Sequence, residues 1–243
     1  MVSRRLSGVC RQLKHPQLKN VMKGLNHHYL AKDDHRLVQL IACNLLPHGY
    51  WFHVSGVIPE GKDPELADAK LILRYSCHTP KDRARRRRRG GMATVRYLRS
   101  GRFFILLATH GKGEFFQREE FRDARENSII VGGYSLSVNR ETKKVLVKLH
   151  RDTVKRYQRL ILERVGWSRK SWESLFWRLP FLPFKGVRDD VFRLLNYLNR
   201  CRKQLRLQPV DWRRCVRKKI KPVPALIPSS PEMVELLRAY PPG

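Results

Sequence analysis

One short segment concentrates the side chains that could perform catalysis. Five of the 21 acidic residues fall within thirteen residues, in a chain that has few acids elsewhere. A metal-dependent nuclease needs carboxylates or imidazoles that converge on a divalent cation beside a basic substrate track. The residues that could bind such an ion are His110, Glu114, Glu119, Glu120 and Asp123, with His110 and Glu114 as the candidate catalytic pair.

The glycines around this segment suit phosphate chemistry, but the spacing of the candidate ligands does not identify a site. Gly111 and Gly113 follow an apolar stretch and would let the backbone approach a phosphate closely. The ligand spacing matches no known metal-binding motif. A structural interpretation is therefore favoured, in which His110 and Glu114 close a turn and residues 119–123 begin a helix. We expect no cofactor, or a divalent metal such as Mg²⁺ if the protein is an enzyme.

Positive charge is the dominant chemical feature of the whole chain. It contains 51 Lys and Arg against 21 Asp and Glu, a net charge of +30 on 243 residues. Charge of this density repels itself in a compact fold unless a polyanion neutralises it. Because 33 of the 51 basic residues are arginines, which bind phosphate bidentately and stack on unpaired bases, RNA is slightly preferred to DNA as the expected partner.

Two basic regions supply the expected nucleic-acid contacts. Residues 79–91 lack large apolar side chains and end in a Gly-Gly pair, which predicts a mobile, arginine-rich loop. Further along, a short helix after Asp211 would bury Trp212 and Cys215 and turn its basic side chains outward. Tyr97 and Trp212 stand beside arginines and could stack on bases. The predicted contacts are Arg83, Arg85, Arg86, Arg87, Arg88, Arg89, Arg96, Arg99, Arg213, Arg214, Arg217, Lys218 and Lys219.

Each basic region also has a simpler interpretation. The five arginines from Arg85 to Arg89 could be a nuclear localisation signal, since short basic clusters also have that role. The helix after Asp211 could present a merely solvated charged face, although such faces normally mix both signs of charge. Ordinary core packing is the alternative for each aromatic residue taken singly.

Hydrophobic periodicity predicts the elements that must position these side chains. Helices are expected at 34–46, 65–75 and 152–165, and a further helix is expected from Val187 onward. A strand is expected at 50–58, a hairpin at 94–109 and a second hairpin at 129–149. The predicted fold class is α+β, with an antiparallel or mixed sheet of about five strands, helices on one face and a helical, basic C-terminal region.

The same patterns predict four regions along the chain. These are a basic N-terminal segment (1–32), an α+β core that includes the loop (33–165), a helical basic region (166–222) and a Pro-rich tail (223–243). The five cysteines are scattered and form no zinc or disulfide pattern, which is typical of a reducing compartment. We therefore expect an intracellular protein, cytoplasmic or nucleoid-associated. The acid-free opening segment also weakly resembles an organellar transit peptide.

The function predicted from these features is nucleic-acid binding. No membrane partner is expected, because the longest strongly apolar stretch, residues 103–108, is far shorter than a bilayer-spanning helix. One alternative is a metal-dependent nuclease or strand-transfer enzyme of a mobile genetic element that uses His110 and the nearby carboxylates. Another is a structural ribonucleoprotein component, in which the positive charge serves assembly alone.

Overall fold

The computed structural model of the protein describes residues 29–77, 79, 81–178, 182 and 184–215, which fall into two compact units. The first unit contains the described residues up to Asn127, and the second begins at Ser128. Each unit combines a β-sheet with helices, so the predicted α+β class is confirmed. None of the described helices has the length and apolar character that crossing a bilayer requires.

The first unit is built on a mixed five-stranded sheet in the order β1-β3-β4-β2-β5. Its strands are β1 (Leu30–Ala31), β2 (Tyr50–Val57), β3 (Val95–Ser100), β4 (Phe103–Thr109) and β5 (Arg122–Asp123). The β1–β3 pair is parallel. The β3–β4, β4–β2 and β2–β5 pairs are antiparallel. The predicted β3–β4 hairpin is confirmed, with β4 at the centre of the sheet. The two-residue strands β1 and β5 are too short for periodicity to predict.

Two capped helices pack near this sheet. The first, α1 (Asp34–Gln39), continues as a π-helical stretch (Leu40–Leu45) and a 3₁₀ turn (Leu46–His48). The second is α2 (Pro64–Arg74). Each begins after an aspartate, Asp33 or Asp63, whose side chain accepts a hydrogen bond from a backbone N–H of the first turn. These caps satisfy donors that a helix start leaves free, which is why both helices begin where the sequence predicts.

The central strand β4 is buried on both faces. Leu106 and Ala108 belong to a core cluster that also contains Ala69 and Ile72 of α2. Leu107, which points to the opposite face because side chains alternate along a strand, is also fully buried. A continuous apolar run is the sequence pattern of a strand that is covered on both sides.

The segment predicted to be a mobile loop is helical instead. Residues 81–89 form α3 (Lys81–Arg89), so the loop prediction for 79–91 is wrong over this range. Arginine is among the better helix formers, and Ala84 is 2% exposed, which gives the helix a buried anchor. Among the described residues of the first unit, one further helix follows, the single turn α4 (Glu114–Arg118).

The strands predicted at 129–149 form a separate sheet in the second unit. This sheet contains β6 (Ile129–Val131), β7 (Tyr134–Val138) and β8 (Val145–Leu149), paired antiparallel in that order. The hairpin predicted at 129–149 has three strands instead of two, because Gly132 and Gly133, at φ of 53° and 83°, form an additional turn within it. Two consecutive residues with positive φ form the tight turn that suits the twist of a hairpin.

Helices α5 (Arg151–Arg164), α6 (Arg169–Arg178), α7 (Lys185–Gln204) and α8 (Trp212–Cys215) complete the second unit. Helix α5 begins at Arg151, one residue before the predicted start at 152, and its cap is His150. Helix α7 packs on β8 and α5, and its buried Asp190 accepts a hydrogen bond from the backbone of Leu149 at 3.0 Å. Helix α6 lies within the aromatic stretch 167–184, for which periodicity predicts no helix.

Candidate nucleic-acid interface

Helix α3 presents an almost uniformly cationic surface. Arg83, Arg85, Arg86, Arg88 and Arg89 are exposed, and Arg87 is half-buried. At 100° per residue, Arg86 and Arg89 lie opposite the buried Ala84 and point away from the unit, and Arg85 lies on the side of the helix between these two directions. None of these six arginines forms an ion pair with any residue that the structure describes. Among hydrogen bonds to the described residues, a guanidinium of this set forms one, which is long at 3.5 Å, from Arg88 Nη1 to the carbonyl oxygen of His48.

The C-terminal end of α3 is fixed by its own backbone. The N–H of Met92 donates to the Arg87 carbonyl at 3.0 Å, and the N–H of Gly91 donates to the Arg88 carbonyl at 3.1 Å. This pair of bonds is a Schellman motif, with Gly91 in the left-handed conformation at φ 72°. The motif satisfies carbonyls that a helix end leaves free, and it gives the arginines a defined position.

The structure brings the end of α3 against the segment that follows β4. The N–H of Ala93 donates to the Lys112 carbonyl, and the N–H of Lys112 donates to the Gly91 carbonyl, both at 2.8 Å. A Cβ built on Gly111 would lie 2.5 Å from the backbone nitrogen of Ala93, and Gly111 has φ 142°. Gly111 therefore permits close approach of the protein's own backbone. That backbone occupies the space beside Gly111 in which a phosphate was predicted to bind.

The five predicted metal-binding side chains do not converge. Glu114 pairs with Arg118 at 2.6 Å, and Glu119 accepts a hydrogen bond from the Tyr75 hydroxyl. Asp123 pairs with Arg125, whose Nη2 lies 2.6 Å from Asp123 Oδ2. His110 and Glu120 are exposed. Within the described ranges, no three His, Cys, Asp or Glu side chains are placed to bind one metal ion.

Two of the predicted contacts, Arg96 and Arg99, are structural residues. Arg99 is 8% exposed, and its Nε lies 2.8 and 2.9 Å from the two carboxylate oxygens of the fully buried Asp68. Arg96 donates to the Cys77 carbonyl at 2.7 Å. Tyr97, expected to be a possible stacking residue, is 3% exposed and donates its hydroxyl hydrogen to Asp68. Burial and the Asp68 carboxylate raise the pKa of this hydroxyl well above its usual value.

The second unit contributes an exposed aromatic side chain beside a guanidinium. Trp212, predicted to face the core, is 46% exposed and packs against the Phe192 ring with centroids 5.9 Å apart. The Arg213 guanidinium carbon lies 5.7 Å from the centroid of the Trp212 ring. Cys215 is buried, as predicted. The predicted cap is also observed, since Asp211 Oδ1 accepts from the Arg213 N–H at 3.0 Å.

The other predicted contacts of this region differ in their surroundings. Arg214 Nη1 lies 3.7 Å from a carboxylate oxygen of Glu173, so its charge is partly matched within the unit. Arg217, Lys218 and Lys219 lie outside the described residues. Of the two described arginines in this helix, Arg213 is therefore the better candidate for a contact, because the charge of Arg214 is partly matched by Glu173.

Three further cations of the second unit were not among the predicted contacts. Arg200, Lys203 and Arg206 line a depression at the C-terminal end of α7. The sequence signal that could have indicated a cationic surface here is the absence of any acidic residue between Val191 and Val210. That absence could not show which of the basic side chains there lie together, because the grouping depends on the path of the chain after α7.

No protein-family model matches the chain, and no curated protein is significantly similar to it.

Proposed function

We propose that the protein binds nucleic acid, with RNA preferred to DNA, and that helix α3 is its principal contact surface. The observation that supports this most directly is the row of exposed arginines on α3 without an ionic partner in the described part of the chain. A helix that presents guanidinium groups along one face suits the closely spaced phosphates of a nucleic-acid backbone.

Helix α3 has an internal electrostatic cost that a polyanion would relieve. Arg85 and Arg89 stand four residues apart, and Arg86 and Arg89 stand three apart. Like charges at these spacings destabilise a helix by about 0.2 to 0.5 kcal/mol per pair. The helix nevertheless forms because Ala84 is buried and its C-terminal end is bonded to the backbone after β4. Bound phosphates would convert this repulsion into attraction.

The preference for RNA rests on arginine content and on Trp212. Unpaired bases stack on aromatic rings and on guanidinium planes, and such bases are the usual targets of sequence-selective RNA recognition. Trp212 is exposed beside Arg213, which is the kind of pair that such stacking uses. Tyr97 no longer supports this preference, because it is buried.

The two alternatives to simple binding differ in the observations that bear on them. A structural ribonucleoprotein component would use the same cationic surfaces and would differ only in its assembled partners. The metal-dependent nuclease of a mobile element has no supporting observation among the described residues, since Glu114, Glu119 and Asp123 each bind a neighbouring side chain.

The test is a salt titration of binding with matched charge variants. Fluorescence anisotropy would measure dissociation constants for a labelled single-stranded RNA, the same sequence as DNA, and a duplex. For single strands, each phosphate contact contributes about 0.7 to the slope of log K against log salt. Arg85, Arg86 and Arg89 changed together to Gln should therefore reduce that slope by about 2.

The control variant removes the same charge from another exposed helix surface. Arg151, Lys155 and Arg159 are exposed at successive four-residue spacings on α5, and changing them to Gln also removes three positive charges. We expect a small change in slope for this control. Equal losses in both triple variants would show that only net charge matters and would contradict the assignment to α3. A wild-type affinity that does not vary with salt would contradict the proposal itself.

A further inference from the structure

A depression in the surface of the second unit is lined by several cationic side chains. The depression is open to solvent, has a volume of about 600 Å³ and lies where the chain leaves α7. Three cationic side chains, Arg200, Lys203 and Arg206, line it together with Leu207, Gln208 and Pro209. No acidic residue is among the lining residues.

The three cations have no partner in the described part of the protein. None of them forms an ion pair or a side-chain hydrogen bond with a described residue. Other cations of the same unit are paired, for example Lys185 with Asp189 at 2.8 Å and Arg193 with Asp190 at 2.9 Å. Like charges that line one small depression repel each other unless an anion lies between them.

The scaffold of the depression is rigid. Arg202 is 3% exposed and donates to three carbonyls, those of Gln208 at 2.7 Å, Val165 at 2.8 Å and Trp167 at 2.7 Å. The Asn199 side chain bonds both the N–H and the carbonyl of Val210, at 2.8 and 3.0 Å. These bonds fix the backbone of the segment that follows α7, so the positions from which the three cationic side chains extend are set before any ligand arrives.

One of the cations occupies a backbone position that normally favours glycine. Helix α7 ends in a Schellman motif, in which Leu207 N–H donates to the Arg202 carbonyl and Arg206 N–H donates to the Lys203 carbonyl. Arg206 is the left-handed residue of this motif, at φ 54°. Glycine is the usual residue there because it has no Cβ to crowd the backbone. An arginine at such a position suggests that its side chain has a use outside the fold.

A second left-handed residue of the same unit shows the contrast. Lys143, in the β7–β8 turn, has φ 55°, and its Nζ donates to the Arg140 carbonyl at 2.7 Å. Its side chain thus stabilises its own turn. Arg206 has no comparable bond, and the carbonyls at the end of α7 already accept from the backbone N–H groups of residues 205–207. Positive charge at the end of α7 is explained by its favourable interaction with the helix dipole. That interaction does not explain why an arginine occupies the left-handed position.

We propose that this depression binds a backbone phosphate of nucleic acid through Arg200, Lys203 and Arg206. Leu207 and Pro209 provide an apolar surface for the attached sugar or base. The inference rests on the proposed function, because it names a second phosphate contact, separate from α3, for the same class of ligand.

The decisive variant is Arg206→Gly, compared with Lys143→Gly. Each removes one positive charge and relieves one left-handed non-glycine residue. The two differ in whether the charge lines the depression, and Lys143→Gly also loses the hydrogen bond to the Arg140 carbonyl. We expect Arg206→Gly to weaken binding of a single-stranded RNA at least threefold and to keep a melting temperature at or above that of the wild type. Lys143→Gly should bind as the wild type does. Equal affinities for the two variants would overturn the inference.

Chemical footprinting separates a failure of this inference from a failure of the proposed function. Phenylglyoxal modifies accessible guanidinium groups, and peptide mass spectrometry locates the modified residues. Bound RNA should protect Arg200 and Arg206 as well as the arginines of α3. Exposed Arg159 should remain reactive, and buried Arg202 should stay unmodified with or without RNA. Protection of α3 without Arg200 and Arg206 would overturn this inference alone, whereas an absence of RNA binding would overturn both.

Discussion

Arg99 and Asp68 form a buried ion pair, in which the Nε–H of Arg99 is shared between both carboxylate oxygens at 2.8 and 2.9 Å. Asp68 has no exposed surface. The same carboxylate accepts the Tyr97 hydroxyl hydrogen, so one acid of α2 joins two side chains of β3. Arg99 is one of 51 basic residues in the chain, and it lies in the core because Asp68 matches its charge there.

Arg99→Ala should therefore destabilise the protein and leave its affinity for RNA unchanged. Removing one partner of a buried ion pair leaves an uncompensated charge and costs about 3 to 5 kcal/mol. Urea denaturation would measure the free energy of unfolding. Arg89→Ala is the control, because Arg89 is exposed on α3 and should lose affinity with a stability change below about 0.5 kcal/mol. A stable Arg99→Ala protein with weakened RNA binding would reverse our assignment of these residues.

Gly111→Ala should destabilise the first unit. A Cβ at this position would lie 2.5 Å from the Ala93 nitrogen, and the φ of 142° is unfavourable for any side chain, so we expect a loss of about 2 to 3 kcal/mol. Gly113→Ala is the matched control, since its Cβ would make an ordinary contact at 3.7 Å and its backbone is extended. Chemical denaturation of both variants checks this. Equal stabilities would mean that residues 111 and 93 do not approach as described.

His53 should make stability depend on pH. Its Nε2 donates to the Asn127 carbonyl at 3.2 Å, so a second proton must go to Nδ1, which is buried without a partner among the described residues. Burial lowers the pKa of this imidazole in the folded state, so the unfolded chain binds more protons as the pH falls. The contribution of His53 to stability is therefore full above the unfolded-state pKa of about 6.5 and declines below it.

The variant His53→Gln isolates this effect, because glutamine can keep the donor to Asn127 and does not titrate in this range. Free energies of unfolding measured from about pH 7.5 to about 5.5 should fall more steeply for the wild type than for the variant. Parallel curves would show that His53 does not titrate differently in the folded and unfolded states.

Trp212→Ala should affect RNA binding more than stability. Because the indole is 46% exposed, its removal should cost about 1 kcal/mol of folding free energy, below the roughly 3 to 5 kcal/mol typical of a buried tryptophan. Trp172→Ala is the buried comparison, at 1% exposure. If an unpaired base stacks on Trp212, affinity for single-stranded RNA should fall by about 1 to 3 kcal/mol. A large loss of stability with unchanged affinity would make Trp212 a core residue.

Incubation with labelled RNA and DNA should show no Mg²⁺-dependent cleavage that His110→Ala abolishes. The reason is that Glu114 and Asp123 pair with arginines, while Glu119 binds Tyr75. A chelator and the His110→Ala protein are the two controls. Cleavage that requires Mg²⁺ and disappears in the variant would establish a nuclease and overturn our preference for simple binding.

Local features of the sequence determined most of the secondary structure. The aspartates before α1 and α2 and the β3–β4 hairpin are encoded within windows of about ten residues, because caps, turns and periodicity act between near neighbours. The +30 charge likewise follows from composition alone. Helix α3 was missed because a run of arginines has no apolar periodicity, and the burial of its single anchor, Ala84, is a property of the packed unit.

Only the tertiary structure decided which cations are available to a ligand. Arg99 and Arg89 have the same side chain, but Arg99 meets an aspartate 31 residues away in sequence, whereas Arg89 meets solvent. The predicted carboxylate cluster was dispersed in the same way, since partners such as Tyr75, 44 residues from Glu119, are set by packing. The left-handed conformation of Arg206 is likewise fixed by the bonds that hold the segment after α7. Contacts between residues distant in sequence depend on the whole fold, and no local pattern encodes them.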